Sequence, residues 1–231
     1  VVNKLFFQVF LMTAIPATPT KADYASEPDH PLDWLEATDP IALFEDWLAT
    51  AGRTEPNDPN AVSLATVDAD GMPDVRILLL KGLSEAGFDV YTNSHSAKGQ
   101  QLEANPRAAL CFHWKTQRRQ VRVRGSVVKV GEAGSDAYFA KRARGSRLSA
   151  WASQQSRPAK DRDELMDAMA KTEARFAGED VPRPPHWYGY RIVPETIEFW
   201  QDGAFRVHDR IVFTRDGDGQ EKGWKTTRLY P

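Results

Sequence analysis

The chain has 231 residues, 41% of them hydrophobic and 27% charged, with a formal net charge of −2 and one cysteine, Cys111. That is material for one large or two small globular domains. The charge argues against bulk electrostatic binding of nucleic acid, and a lone cysteine excludes an intramolecular disulfide or a thiolate zinc cluster.

In chain order, the apolar "LFFQVFLM" reads as a short signal-peptide core or as an extension upstream of a start at Met12. It is too short to span a membrane. Residues 12–38 are rich in Pro, Thr, Ala and acidic residues and are expected to be largely disordered. The chain therefore divides into an extension, 1–38, and a domain, 39–231.

In "DPIALFEDWLATAG", Asp39 suits an N-cap, Pro40 the first helical position and Gly52 the stop. Ile41, Phe44, Trp47 and Leu48 form one apolar stripe. "AVSLATVDADGMPDVRILLLKG" reads as two strands about a turn at Asp70–Gly71, and "FDVYTN" as a third. "SAKGQQLEANP" reads as a short helix ended by Asn-Pro. "RAALCFHW" and "RQVRVRGSVVKV" read as strands about "KTQR". A helix holding "SDAYFAKRAR" follows, then an irregular "GSRLSAWASQQSRP" and a charged helix over 159–177. "PRPPHWYGYRIVPETIEFW" returns to extended chain, and "RIVFTRDGDGQEKGWKTTRLYP" is a hairpin around 216–219. About seven or eight strands on tight turns, with about three inserted helices, favour an antiparallel barrel or sandwich.

No glycine-rich phosphate loop is present, but cations and hydroxyls bind phosphate as well. Arg76 and Lys81 flank the apolar run of "RILLLK", which marks that strand as buried. Strict alternation places the two on opposite faces. Tyr138 and Arg142 are four apart, with Ser146 just beyond, a trio suited to a phosphate ester or, more plainly, to surface packing. Gln120 offers an amide to a heterocycle edge, whereas Arg122 and Arg124 read as a wet strand face. Arg206, His208 and Arg210 recur at every second position after Trp200, one face of an extended chain. That face is either solvated or a site, and a neutral imidazole in it could accept a hydrogen bond or relay a proton. His30, His95, His113 and His186 lack metal-ligand spacing, so no metal is expected.

Together "RILLLKG", "VYTN", "NPRAAL", "RRQVRVRG", "SRLSAWASQQS", "IEFWQ" and "FRVHDR", in this order from about Asp39 to the final "RLYP", resemble the pyridoxine/pyridoxamine 5′-phosphate oxidase family. The resemblance implies a β-rich α+β fold, an FMN-binding antiparallel split β-barrel with peripheral helices, in a cytoplasmic homodimer with FMN at the interface. It implies oxidation of pyridoxamine or pyridoxine 5′-phosphate to pyridoxal 5′-phosphate by O2, with release of H2O2 and, from the amine, NH3. Neither nucleic acid nor membrane is an implied partner. By matching position, Arg76, Ile77, Leu78, Leu79, Leu80, Lys81, Tyr91, Thr92, Lys98, Gln120, Gln155, Ser156, Trp200 and Arg210 would contact FMN. Lys81, Tyr138, Arg142 and Ser146 would hold the substrate phosphate. Arg206 and His208 would lie against the substrate ring as the catalytic pair. Ala97 stands where the family commonly has an arginine, which implies one FMN phosphate contact fewer. Competing readings are a split-barrel flavin reductase, a non-catalytic flavin or haem binder, and a nucleic-acid-binding barrel using Arg122 and Arg124.

Overall fold

A computed structural model describes residues 20–22, 31–216 and 223–231. "LFFQVFLM", Met12 and residues 217–219 of the expected hairpin turn lie outside the described residues. Nine strands form one antiparallel sheet: β1 (Ala61–Val67), β2 (Pro73–Leu79), β3 (Gly82–Ser84), β4 (Gly87–Asn93), β5 (Arg107–Trp114), β6 (Arg119–Lys129), β7 (Trp187–Gln201), β8 (Asp209–Arg215) and β9 (Trp224–Arg228). Their order is β2-β1-β5-β6-β7-β4-β3, with β8 paired to β7 and β9 to β8. The long β7 pairs along its length with β6, through its first half with β4 and through its second half with β8. That shared strand splits the sheet and curls it into a barrel. At its bend Gly125 is required, because a Cβ there would meet the Val193 carbonyl oxygen at 1.9 Å.

Alternation divides the sheet into two faces. The inner row Leu64, Leu110, Val123, Ile197, Phe213 is fully buried. Helix α1 (Pro40–Thr54) closes over it, capped by Asp39, whose carboxylate accepts from the Ile41 and Ala42 amides. The helix passes the expected stop at Gly52 by two residues. Its Phe44 packs edge-on against Phe88 and Phe112, and Trp47 against Phe199. Trp34, in a short 3-10 turn before α1, joins this core against Trp47 at 5.1 Å, so the packed chain reaches back before residue 39.

Four more helices are described: α2 (Ala97–Ala104), α3 (Glu132–Ala140), α4 (Arg144–Ala152) and α5 (Arg162–Arg175). Two differences from the sequence reading stand out. "GSRLSAWASQQSRP", expected to be irregular, contains α4. It lacks a capping side chain and is held by tertiary contacts: Leu148 packs with Phe176 and Val181, and Arg147 pairs with Asp180. β2, expected to be buried, is a sheet edge, with Val75 and Ile77 62% and 64% exposed on the outer face.

Candidate active site

A cleft of about 710 Å³ opens where β2, β4, α4 and α5 approach one another. Of the expected residues it brings together Leu78, Leu79, Lys81, Tyr91, Thr92, Tyr138, Arg142, Ser146 and Gln155. Lys81 reaches it because the chain has left β2. The Lys81 amide donates to Asp89 of β4, while Leu80 still bonds Asn60 beside β1. Alternation along β2 therefore does not govern Lys81, and the facing conflict with Arg76 does not arise. Leu80 itself is buried in the core and Ile77 faces outward, so neither lines the cleft.

Tyr138 lies in the last turn of α3, and Arg142 follows in the break before α4, so the expected continuous helix through both is not formed. They are nonetheless neighbours on one wall. Tyr138 stacks on Tyr91 with centroids 4.1 Å apart, and Trp187 lies parallel beyond them. The Arg142 guanidinium lies over Trp187 at 4.9 Å, and its Nη1 is buried without a hydrogen-bond partner. Burial lowers the Arg142 pKa and raises those of Tyr138 and Tyr91, so both phenols keep their protons.

Behind this wall Lys98, capped into α2 by Ser96, is buried and donates to Gln155 Oε1 at 3.1 Å. Gln155 Oε1 also accepts from Thr92 Oγ1. Burial, and secondarily the Arg76 charge, lowers the Lys98 pKa. The Arg76 donors are already engaged by Leu64 O, Thr66 Oγ1, Asp74 and Gln101. Ala97, beside Lys98, is exposed, and so is Ser156, at φ 71°.

The remaining expected residues form a second cluster that does not line the cleft. Gln120, Trp200 and Arg210 are register neighbours across β6, β7 and β8. The expected strand through Arg206 and His208 is not there. Residues Ala204–Arg206 form a 3-10 turn with Phe205 and Arg206 at φ 57° and 67°, and β8 begins only at Asp209. The turn is tight: a Cβ on Gly203 would meet the Val207 carbonyl oxygen at 2.0 Å. His208 packs against Trp200 with the rings tilted and centroids 4.7 Å apart, and its Nδ1 lies 2.8 Å from Asp202 Oδ1. The same Nδ1 is 3.1 Å from the Gly203 amide, so its protonation decides which partner it holds. The ring's charged neighbour is thus a carboxylate and not the expected arginine. Arg210 is engaged by Glu198 through Nε and Nη2 and by the Tyr230 carbonyl through Nη1. Arg122, expected on a wet face, pairs with the other oxygen of Glu198.

Sequence reasoning missed Glu198, Asp202 and Trp187. Glu198 shares a strand face with Trp200 by period two, a signal available in "IEFWQ".

The family model for pyridoxamine 5′-phosphate oxidase matches residues 48–176, more than half of the chain. The chain belongs to the pyridoxamine 5′-phosphate oxidase family. A second model, the pyridoxine 5′-phosphate oxidase C-terminal dimerisation region, matches 187–231, which holds all of the second cluster except Gln120. Among oxidases named for pyridoxine/pyridoxamine 5′-phosphate, that of Hyphomonas neptunium is 59% identical over 220 residues, covering 95% of this chain and 99% of its own. That of Azorhizobium caulinodans is 57% identical, covering 91% and 100%. The crystal structure of PhzG from Burkholderia lata, in complex with tetrahydrophenazine-1-carboxylic acid, superposes with a TM-score of 0.80 at 32% identity, covering 88% of this chain and 98% of its own. The oxidase family's split barrel is thus the fold of this chain.

Proposed function

We propose that this family member oxidises pyridoxamine and pyridoxine 5′-phosphate to pyridoxal 5′-phosphate, with FMN as cofactor and O2 as acceptor, as a homodimer. The observation that carries the reading is the cleft wall of Lys81, Tyr138, Arg142 and Ser146, where a buried guanidinium nitrogen has no protein acceptor. An unsatisfied buried donor costs about 1–3 kcal/mol, and a phosphate oxygen removes that cost.

The residues also fit FMN. Lys98 and Arg76 are two cations close enough to repel, one of them buried, and an anion between them offsets both the repulsion and the burial. Thr92 and Gln155 add a hydroxyl and an amide beside Lys98. Arg76, already hydrogen-bonded, contributes field more than a free donor. Two phosphates, one on the cofactor and one on the substrate, account for two cationic groups in one region. A flavin reductase or a non-catalytic flavin or haem binder has no use for the second.

When bound, FMN supplies the hydride acceptor for the substrate carbon and a route for its electrons to O2. The chain's own groups bind, orient and shield. Lys81, Arg142, Tyr138 and Ser146 fix the substrate by its phosphate, distant from the reacting carbon. Arg206 covers the substrate ring, and His208 orients it, with Asp202 holding Nδ1. These two come from the cluster inside the dimerisation region, so two copies complete each site. We assign residues 39–231 to one oxidase unit, with Trp34 of the preceding segment added to its core, and place the protein in the cytoplasm. Among the described residues no helix is long and apolar enough to cross a membrane.

The test is direct. Protein loaded with FMN, given pyridoxamine 5′-phosphate under air, should yield pyridoxal 5′-phosphate and peroxide in equal amounts. Loaded protein that produces neither refutes the reading.

A further inference from the structure

We propose that Trp187 is a positioning residue that sets selectivity for a phosphorylated over an unphosphorylated substrate, by holding the Arg142 guanidinium against its ring face. The inference rests on the reading of Arg142 as a phosphate ligand.

Arg142 sits in the short break between α3 and α4, anchored there by its own amide to the Phe139 carbonyl. A long side chain leaving such a loop has many rotamers to lose, and an ion pair is the usual way to fix one. The next two arginines in the chain follow that pattern: Arg144 pairs with Glu173 and Arg147 with Asp180. Arg142, among the described residues, has no carboxylate partner. What faces it is aromatic: Trp187 at 4.9 Å and Phe139 at 5.5 Å. A ring quadrupole orients a guanidinium without neutralising it, so the charge stays available to an incoming anion. A carboxylate in the same place would compete with that anion.

Trp187 is built to be such a platform. It is 6% exposed. Its backbone is tied into β7 opposite Asn93 of β4, and its carbonyl accepts from Arg183 Nη1 at 2.9 Å. Phe139 packs on its edge at 5.0 Å, and Tyr138 lies parallel to it within 5° at 6.1 Å. One indole thus fixes both Arg142 and Tyr138, two of the four groups expected on the phosphate.

The experiment compares holoenzyme carrying Trp187→Leu or Trp187→Phe with wild type and with Arg142→Ala, using pyridoxamine 5′-phosphate and pyridoxamine as substrates. The Leu variant should lower the ratio of the two kcat/KM values about tenfold and the Phe variant less, as expected for losing the ring contact and its orientation. The dissociation constant of pyridoxal 5′-phosphate for the holoenzyme, measured by equilibrium dialysis, should rise in parallel. Added to Arg142→Ala, the Leu change should lower the ratio by less than it does in wild type, because the part of its effect that runs through Arg142 is already lost. If the Leu variant does not fold, the Phe variant and its combination with Arg142→Ala carry the test. An unchanged ratio in the Trp187 variants, or equal losses on both substrates, overturns the proposal. An unchanged ratio in Arg142→Ala overturns the underlying phosphate reading instead.

Discussion

Phe205 and Arg206 hold consecutive left-handed conformations, at φ 57° and 67°, which cost a side-chain-bearing residue about 1–2 kcal/mol each. Glycine at 206 escapes that cost, less about 0.5–1 kcal/mol for its freer unfolded chain. Arg206→Gly should therefore be more stable than Arg206→Ala by roughly 0.5–1 kcal/mol in urea unfolding. Both should lose at least about a hundredfold in kcat/KM while retaining FMN, since neither carries the side chain expected over the substrate ring. Equal stability of the two would show that the turn relaxes, and wild-type turnover would remove Arg206 from the site. Lys98 supports a pH prediction. Burial depresses its folded pKa below the unfolded value, so between the two the unfolded chain binds more protons. Without FMN, Lys98 therefore destabilises the fold at neutral pH, and stability recovers as pH rises through that window. FMN affinity goes the other way, being lost as pH climbs through the lowered pKa and the ammonium discharges. Flavin fluorescence titrations from neutral to alkaline pH should show that loss in wild type, and Lys98→Arg should move it to higher pH. Identical profiles would exclude Lys98 as the titrating group.

The entry of the chain into β8 depends on one carboxylate. Glu198, 8% exposed on β7, bridges Arg122 of β6 and Arg210 of β8, and Arg210 in turn holds the Tyr230 carbonyl. Removing it leaves two guanidiniums side by side. Glu198→Ala should cost about 1–3 kcal/mol, at the low end because Arg122 is half exposed, and should weaken FMN binding by freeing Arg210 and the adjacent Trp200. Chemical denaturation and a flavin titration read both effects, and a variant with unaltered affinity would separate this bridge from the site. Most elements were legible in the sequence: the Asp39 cap, the strand pairs and the clustering of Lys81, Tyr138, Arg142 and Ser146. What was not legible came from tertiary contacts. The period-two row through Arg206 and His208 breaks because Gly203 lets the chain fold onto Val207, a packing event invisible in the spacing. Helix α4 forms because Arg144, Arg147 and Trp151 tie it to the segment after α5, whereas its own sequence, with Gly145, Ser146 and Ser149 and no capping side chain, favours a loop.

At the scale of the molecule, the two clusters sit toward opposite ends of β7. Trp187 lines the cleft, and Trp200 belongs to the second cluster near the other end of the same strand, about 40 Å of extended chain away at ~3.3 Å per residue. The outer face of the sheet offers a surface for a twofold contact. Val75, Ala65, Ala109, Arg124 and Thr196 form one lateral row, and Ile77, Ser63, Cys111, Arg122 and Glu198 the next. Small side chains lie mid-sheet, with exposed Val75 and Ile77 at the β2 edge. A twofold contact there covers an edge that would otherwise template aggregation, and it abuts the dimerisation region through Thr196 and Glu198. Burial in such a contact explains why "RILLLK" reads as a buried strand although β2 is exposed in the protomer. Val75→Asp places two carboxylates at this face in every dimer. It should raise the dimer dissociation constant about a hundredfold or more, because a desolvated unpaired charge costs several kcal/mol. If each site draws on both copies, as proposed, FMN affinity and turnover should fall with it, and raising the protein concentration should restore all three together. Sedimentation and flavin titration over one concentration series would decide the matter. A monomer that keeps tight FMN and full turnover would show that one protomer suffices.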